Sequence, residues 1–202
     1  MKLGPRYKIC KRLGSSIFEK CQTQRFALSK ERSLANKKKG RRNISDYNRQ
    51  LIEKQKLRLT YGLTEKQFSS YVTKALESKA NPQAALFSSL ESRLDSVAYR
   101  MGLASTHRMA RQMVSHGHLV VNGKRVTVPS YRVSAGDVVT VRTGSQESPM
   151  FQTLVDKLKE FRSPSWVSYD TEKKEGKLIT APVFTEQDTV ADIGAVFEYY
   201  TR

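Results

Sequence analysis

The stretch from Leu90 to Arg142 constrains this chain most, because its periodicity changes from helical to extended within one short segment. Leu90, Leu94, Val97, Ala98 and Met101 recur at the spacing of one helical face. Arg93 and Arg100, two helical turns apart, lie in line on another face. Gly102 suits a helix end, being free to take positive φ. Ser105 or Thr106 fits the cap of a second helix. Its apolar stripe is Met109, Ala110, Met113 and Val114; Arg108, Arg111, Gln112 and Ser115 form the opposite stripe. His116 and Gly117 stop it. Leu119–Val121 then meets Asn122-Gly123, the residue pair that a type I′ hairpin turn favours. Val126 and Val128 alternate with polar residues on the return. Ala135-Gly136-Asp137 turns the chain into Val138–Val141. The expected unit is helix, turn, helix, hairpin and strand.

Arg108 falls in the first turn of its helix, where the macrodipole favours negative charge. A phosphate at that helix start would use the free N–H groups and the arginine together, whereas a merely solvated face gives the charge no purpose there. The whole chain supports an anionic partner. It holds 36 Lys+Arg against 19 Asp+Glu, a formal net charge of +17. Residues 1–62 carry 18 basic and 4 acidic side chains, while residues 143–202 carry 7 and 10. Nucleic acid is the foremost partner class and an anionic membrane surface the second. No apolar run approaches the about 20 residues of a membrane span, and the start has no apolar core of signal-peptide length. Two cysteines give no disulfide framework. A cytoplasmic protein is expected.

Residues 1–44 read as a basic arm with scattered apolar residues and a short helix near Phe26–Asn36. Its densest charge is Lys37, Lys38, Lys39, Arg41 and Arg42. Such a segment orders when a polyanion neutralises it. Cys10 and Cys21 form no CxxC pair and no histidine lies near them in sequence, so no structural zinc is expected. His116 and His118 lack an evident acidic or cysteine partner and suit RNA contact or capping. Residues 45–62 read as a helix with Ser45 as cap, Asp46 in the first turn, and Lys54, Lys56 and Arg58 in the C-terminal half. Arg49 adds charge to the same helix.

Thr64 and Gln67 match a capping box before the stripe Phe68, Tyr71, Val72, Ala75 and Leu76. Asn81-Pro82 opens another helix carrying Ala85, Leu86 and Leu90. Beyond the central unit, Phe151, Leu154, Val155 and Leu158 mark a helix closed by Pro164. Trp166–Tyr169 and Lys177–Thr180 read as strands around the turn Glu172–Gly176. Ala195–Arg202 reads as an ordered aromatic end.

RLDSVAYRMG, ARQMVSHGHLVVNGKRV and SYRVSAGDVV resemble the RNA-binding module named after small-subunit ribosomal protein four. Pseudouridine synthases and a tyrosyl-tRNA synthetase group carry similar modules. SDYNRQLIEKQKLRLTYG resembles the pattern preceding that module in the bacterial ribosomal protein, which the synthases lack. The chain is therefore identified as a member of the ribosomal protein four family. The resemblance implies an α+β fold: a basic N-terminal arm (1–44), a helical domain (45–90, completed by 181–202) and an inserted two-helix/β-hairpin RNA-binding module with its β extension (91–180).

It also implies primary binding of small-subunit ribosomal RNA at a multi-helix junction early in assembly. Further implications are a position near the channel by which mRNA enters the ribosome, contact with ribosomal protein five, and an influence on decoding accuracy. The expected RNA-facing residues are Lys37, Lys38, Lys39, Arg41 and Arg42 on the arm, and Arg49, Lys54, Lys56 and Arg58 on the helix after it. The module adds Arg93, Arg100, Arg108, Arg111, Gln112, Ser115, His116, Lys124 and Arg125. Many relatives carry a PGQHG-like stretch before SDY where this chain has ANKKKGRRN, and some carry four zinc-binding cysteines where this chain has two. No cofactor, metal, membrane or catalytic role is expected, since no GxSxG, HExxH, P-loop or paired Cys/His signature is present. The alternatives are a free regulatory RNA binder and an RNA-modifying enzyme that uses the same module.

Overall fold

Ser45 starts helix α3, Asp46–Thr60, by accepting a hydrogen bond from the Asn48 amide at 3.4 Å on its Oγ. This is a computed structural model, and it describes residues 3–36, 45–78, 81–148, 151, 161, 163–170, 173–185 and 189–202. The chain divides into two compact units, Met1–Glu77 with Thr185–Arg202, and Ser78–Phe184.

The first unit is helical among its described residues. Helix α4, Glu65–Leu76, follows α3 and opens with the full Thr64/Gln67 capping box. Phe68, Val72 and Ala75 are buried, while Leu76 at the helix end is exposed. The C-terminal helix, Ile193–Tyr200 (α8 in chain order), is capped by Asp192, whose Oδ1 accepts from the Ala195 amide at 3.2 Å. It packs along α3 and also touches α4. Gln50 Nε2 donates to Glu198 across that contact at 2.9 Å.

The N-terminal segment corrects one expectation. It holds α1, Arg6–Leu13, which the scattered apolar residues did not announce, and α2, Gln24–Asn36, which extends the expected short helix. Cys10, Cys21 and Phe26 bury one another, with Phe18 against them. Here the two thiols serve as small apolar residues. Burial first, then the neighbouring Cys10 thiol, push Cys21 up to about 12, so it stays protonated. Among the described residues no three His, Cys, Asp or Glu side chains converge as a metal site.

In the second unit the continuous helical face expected from Leu90 to Met101 is interrupted. Helix α5, Pro82–Glu91, begins with Asn81 as cap and Pro82 inside the first turn. It ends at Glu91, Arg93 is extended, and α6 restarts over Leu94–Arg100. The cause is a distant segment. The Leu94 amide donates to Tyr131 O at 2.8 Å, the Val133 amide to Ser92 O at 2.8 Å, and Arg93 bridges Arg132. Those bonds replace the helical ones, yet Leu90, Leu94, Val97, Ala98 and Met101 are all buried.

Helix α7, His107–Ser115, leads into an antiparallel sheet of order β2-β1-β3-β5-β4. Its strands are β1 Leu119–Val121, β2 Lys124–Arg125, β3 Val138–Val141, β4 Val167–Asp170 and β5 Glu175–Leu178. Asn122 and Gly123 take φ of 48° and 78°, as the hairpin turn requires. The return strand is shorter than its valines suggested. Val126 still donates to Leu119 O at 3.3 Å, but Val128 is 53% exposed.

The last hairpin is also shifted from its expected register. Val167 faces Leu178 and Ser168 faces Lys177. Gly176, expected in the turn, lies within β5, where a Cβ would stand 2.4 Å from Met101 Sδ. Lys174 takes the turn's positive φ instead. The core gathers α6, α7 and the sheet around Met101, Leu103, Met113, Leu119, Val139 and Leu178. Each such side chain contributes roughly 1.5–3 kcal/mol. Trp166 is buried in the same core. The helix expected over Leu154, Val155 and Leu158 lies outside the described residues. Eight helices and this five-stranded sheet, counted among the described residues, make the fold α+β.

Candidate nucleic-acid interface

Helix α7 separates its two stripes as its sequence requires. Thr106 is the cap, its Oγ1 accepting from the Met109 amide at 3.1 Å. Ala110, Met113 and Val114 are buried; Arg108, Gln112, Ser115 and His116 are exposed, and Arg111 is half-buried. The Ser115 hydroxyl donates to Arg111 O at 2.9 Å, so its proton is held within the helix. No acidic residue occupies the first turn. His107 stacks on Tyr99 with ring centroids 4.0 Å apart. Burial, then the charges of Arg100 and Arg93, push its pKa down to about 3, so it is neutral at pH 7. Arg108 is then the cation of the first turn.

The other end of α7 meets the hairpin. Arg125 Nε donates to Gly117 O at 3.2 Å and its Nη2 to His116 O at 3.1 Å. Lys124 is exposed beside it. The pairing of Leu119 with Val141 brings Arg142 next to His118, and the Arg142 amide donates to His118 O at 2.8 Å. His118 Nδ1 and Ser145 Oγ lie 2.9 Å apart. Burial, then the charges of His116, Arg125 and Arg142, lower the His118 pKa. A cationic patch therefore covers the end of α7. Arg142 was missed in the sequence; the signal was its place one step past a strand that pairs with Leu119.

Two arginines expected to face RNA do not reach the surface patch. Arg93 is 2% exposed and gives Nε to Asp95 Oδ1 at 2.9 Å and Nη2 to Asp95 Oδ2 at 2.6 Å. Arg100 binds the buried Glu91 through Nε at 3.0 Å and Nη2 at 2.6 Å. A buried carboxylate requires such a partner, and this requirement takes both guanidinium groups inward.

Comparison with known proteins agrees along the whole chain. Residues 92–139 match the S4 domain, and residues 2–91 match the ribosomal protein S4/S9 N-terminal domain. The small ribosomal subunit protein uS4 of Leuconostoc mesenteroides is 43% identical over 201 residues, covering 98% of this chain and 97% of the relative. That of Acetivibrio thermocellus is 39% identical over 204 residues, covering 98% of each. Small ribosomal subunit protein uS4B of Clostridium acetobutylicum is 38% identical, covering 99% of this chain and 97% of the relative. The chain belongs to the uS4 family. The polar face of α7, Lys124 and Arg125 all fall within its S4 domain.

The uS4 N-terminal domain uses its selected cations differently. Lys54 is buried, binds Glu65 at 2.7 Å and lies 4.3 Å over the Tyr199 ring. Lys56 pairs with Glu53 at 2.6 Å. Arg58 holds Gln55 at 2.7 Å and approaches Glu65 at 3.4 Å. These contacts hold α3 within its own unit, and Lys54, expected to face RNA, is instead buried against Glu65 and the Tyr199 ring. Arg49 is exposed and lines a cavity of about 220 Å³ with Asp46, Gln50, Asp192, Ala195, Glu198 and Arg202. Gln50 is 7% exposed, and its Oε1 has no hydrogen-bond donor among the described residues. Lys37, Lys38, Lys39, Arg41 and Arg42 lie outside the described residues.

Proposed function

We propose that this chain is a structural, non-catalytic constituent of the small ribosomal subunit and that it binds ribosomal RNA. The observation that carries the reading is the cationic face of α7. Arg108, Arg111 and Gln112 stand opposite a buried stripe and continue into His116, Lys124, Arg125 and Arg142. Arginine suits phosphate through its planar fork, and glutamine can reach the sugar hydroxyls that distinguish RNA from DNA. Membership of the uS4 family supports the ribosomal setting.

The finer reading keeps the three-part organisation: a basic arm over 1–44, a helical domain over 45–90 with 181–202, and the RNA-binding module over 91–180. In it the chain binds ribosomal RNA early in assembly, in the cytoplasm, with Lys37–Arg42 near the channel by which mRNA enters. Ribosomal protein five is its protein neighbour, and decoding accuracy responds to that contact. The cavity beside Gln50 supports a protein contact there. Asp46, Asp192 and Glu198 outnumber Arg49 and Arg202, and the unpaired Gln50 oxygen suits an N–H donor.

The test is salt-dependent binding of the full chain to small-subunit ribosomal RNA and to a DNA duplex of equal length. The reading expects RNA to bind far more tightly, with log affinity falling by about 0.7–0.9 per phosphate contact for each unit of log salt. Equal affinity for the DNA would overturn it.

A further inference from the structure

Arg125 is exposed, yet one edge of its guanidinium is fixed. Nε and Nη2 donate to the Gly117 and His116 carbonyls, the first two past the end of α7. A guanidinium has five N–H groups arranged in a rigid fork. Its side edge, Nε with one Nη2 hydrogen, is occupied by these two bonds. Its end edge, Nη1 with the second Nη2 hydrogen, has no partner among the described residues. That end edge is one of the two that match the spacing of phosphate oxygens.

Gly117 makes the arrangement possible. A Cβ there would lie 2.2 Å from Arg125 Nε, 2.5 Å from Nη2 and 2.7 Å from Cζ. The guanidinium thus occupies the space that any other residue at 117 would fill. The backbone also requires glycine there, with φ of +72°. Lys124 next to it in the hairpin and Arg142, whose amide binds His118 O, add permanent positive charge at the same end of α7, so the local field favours an anion.

We infer that Arg125 is a preorganised phosphate clamp whose orientation is set by the α7 terminus, and that Gly117 is its positioning residue. The inference rests on the RNA-binding reading above and adds how one contact of that site is built. Its ligand is a backbone phosphate of structured RNA. Because the side chain is ordered before binding, little rotamer freedom is lost on contact. A lysine at 125 would keep the charge, but a single ammonium cannot hold both carbonyls and present a two-pronged edge.

The test measures affinity per folded molecule for small-subunit ribosomal RNA, over a range of salt, with melting recorded for every variant. Arg125→Lys should bind about tenfold more weakly than the parent, the order expected for losing one charge-assisted hydrogen-bonded contact. Gly117→Ala keeps every charge and should lose affinity to a similar degree. Gly136→Ala controls for backbone strain alone, since Gly136 has φ of +92° and open space at its Cβ; its affinity should match the parent. Parent-like affinity of both Arg125→Lys and Gly117→Ala would overturn the clamp while leaving RNA binding in place. So would a loss in Gly136→Ala equal to that in Gly117→Ala. A parent chain that binds no ribosomal RNA would instead overturn the underlying reading.

Discussion

Asp95 holds both prongs of the Arg93 guanidinium inside the S4 domain, at 2.9 Å and 2.6 Å, with side-chain exposures of 5% and 2%. Breaking such a pair strands one charge in the interior and costs roughly 3–5 kcal/mol. Asp95→Ala should therefore lower unfolding stability by about that amount in a denaturant titration. RNA affinity per folded molecule should stay at the parent value, because the arginine does not face the ligand. A variant of unchanged stability would show that the pair contributes nothing.

The two stripes of α7 should respond in opposite ways. Met113→Ala should cost about 2–5 kcal/mol of stability, since Met113 is fully buried. Arg108→Ala should leave melting near the parent value, because Arg108 is exposed and its charge opposes the helix dipole. Its RNA affinity should fall, and the log–log salt slope should flatten by somewhat less than one unit. Unfolding by Arg108→Ala with unchanged affinity per folded molecule would invert the assignment of faces.

Signals carried by adjacent residues were legible in the sequence. Thr64 with Gln67, Asn81 with Pro82, Asn122 with Gly123, and the stripe of α7 each determine their own geometry within a few residues. What stayed hidden depends on distant partners. The break at Ser92 and Arg93 is made by backbone bonds to Tyr131 and Val133, which no local periodicity encodes. Gly176 looked like a turn residue but is a strand residue that makes room for Met101. The inward pairing of Arg93 and Arg100 with the buried Asp95 and Glu91, and of Lys54 with Glu65, joins residues whose pairing is identified only by the fold. At the N-terminus, Cys10 and Cys21 gave no reason to expect a small core until Phe26 was folded over them.

His107 gives a pH signature. Its pKa is pushed from the ordinary 6.5 down to about 3 by burial and then by Arg100 and Arg93. The unfolded chain therefore binds a proton that the folded chain refuses. The contribution is fully present above pH 6.5 and is lost as pH falls toward the folded value, by at most about 1.4 kcal/mol per pH unit. Melting should drop between pH 7 and pH 5, a range in which ordinary carboxylates stay ionised. His118, also lowered, acts in the same direction. His107→Phe should flatten the drop without abolishing it. An unchanged profile in that variant would show that His107 titrates normally.

The most direct test of the central claim is sedimentation of the epitope-tagged full chain with ribosomal particles from its own cells, beside an Arg108→Ala/Gln112→Ala variant of verified fold. The parent chain should comigrate with the small subunit at about one copy per particle through a moderate salt wash, as a site built on several phosphate contacts should. The variant should be released at lower salt. A folded parent chain that remains in the free-protein fractions, while intact small subunits migrate without it, would overturn the ribosomal role.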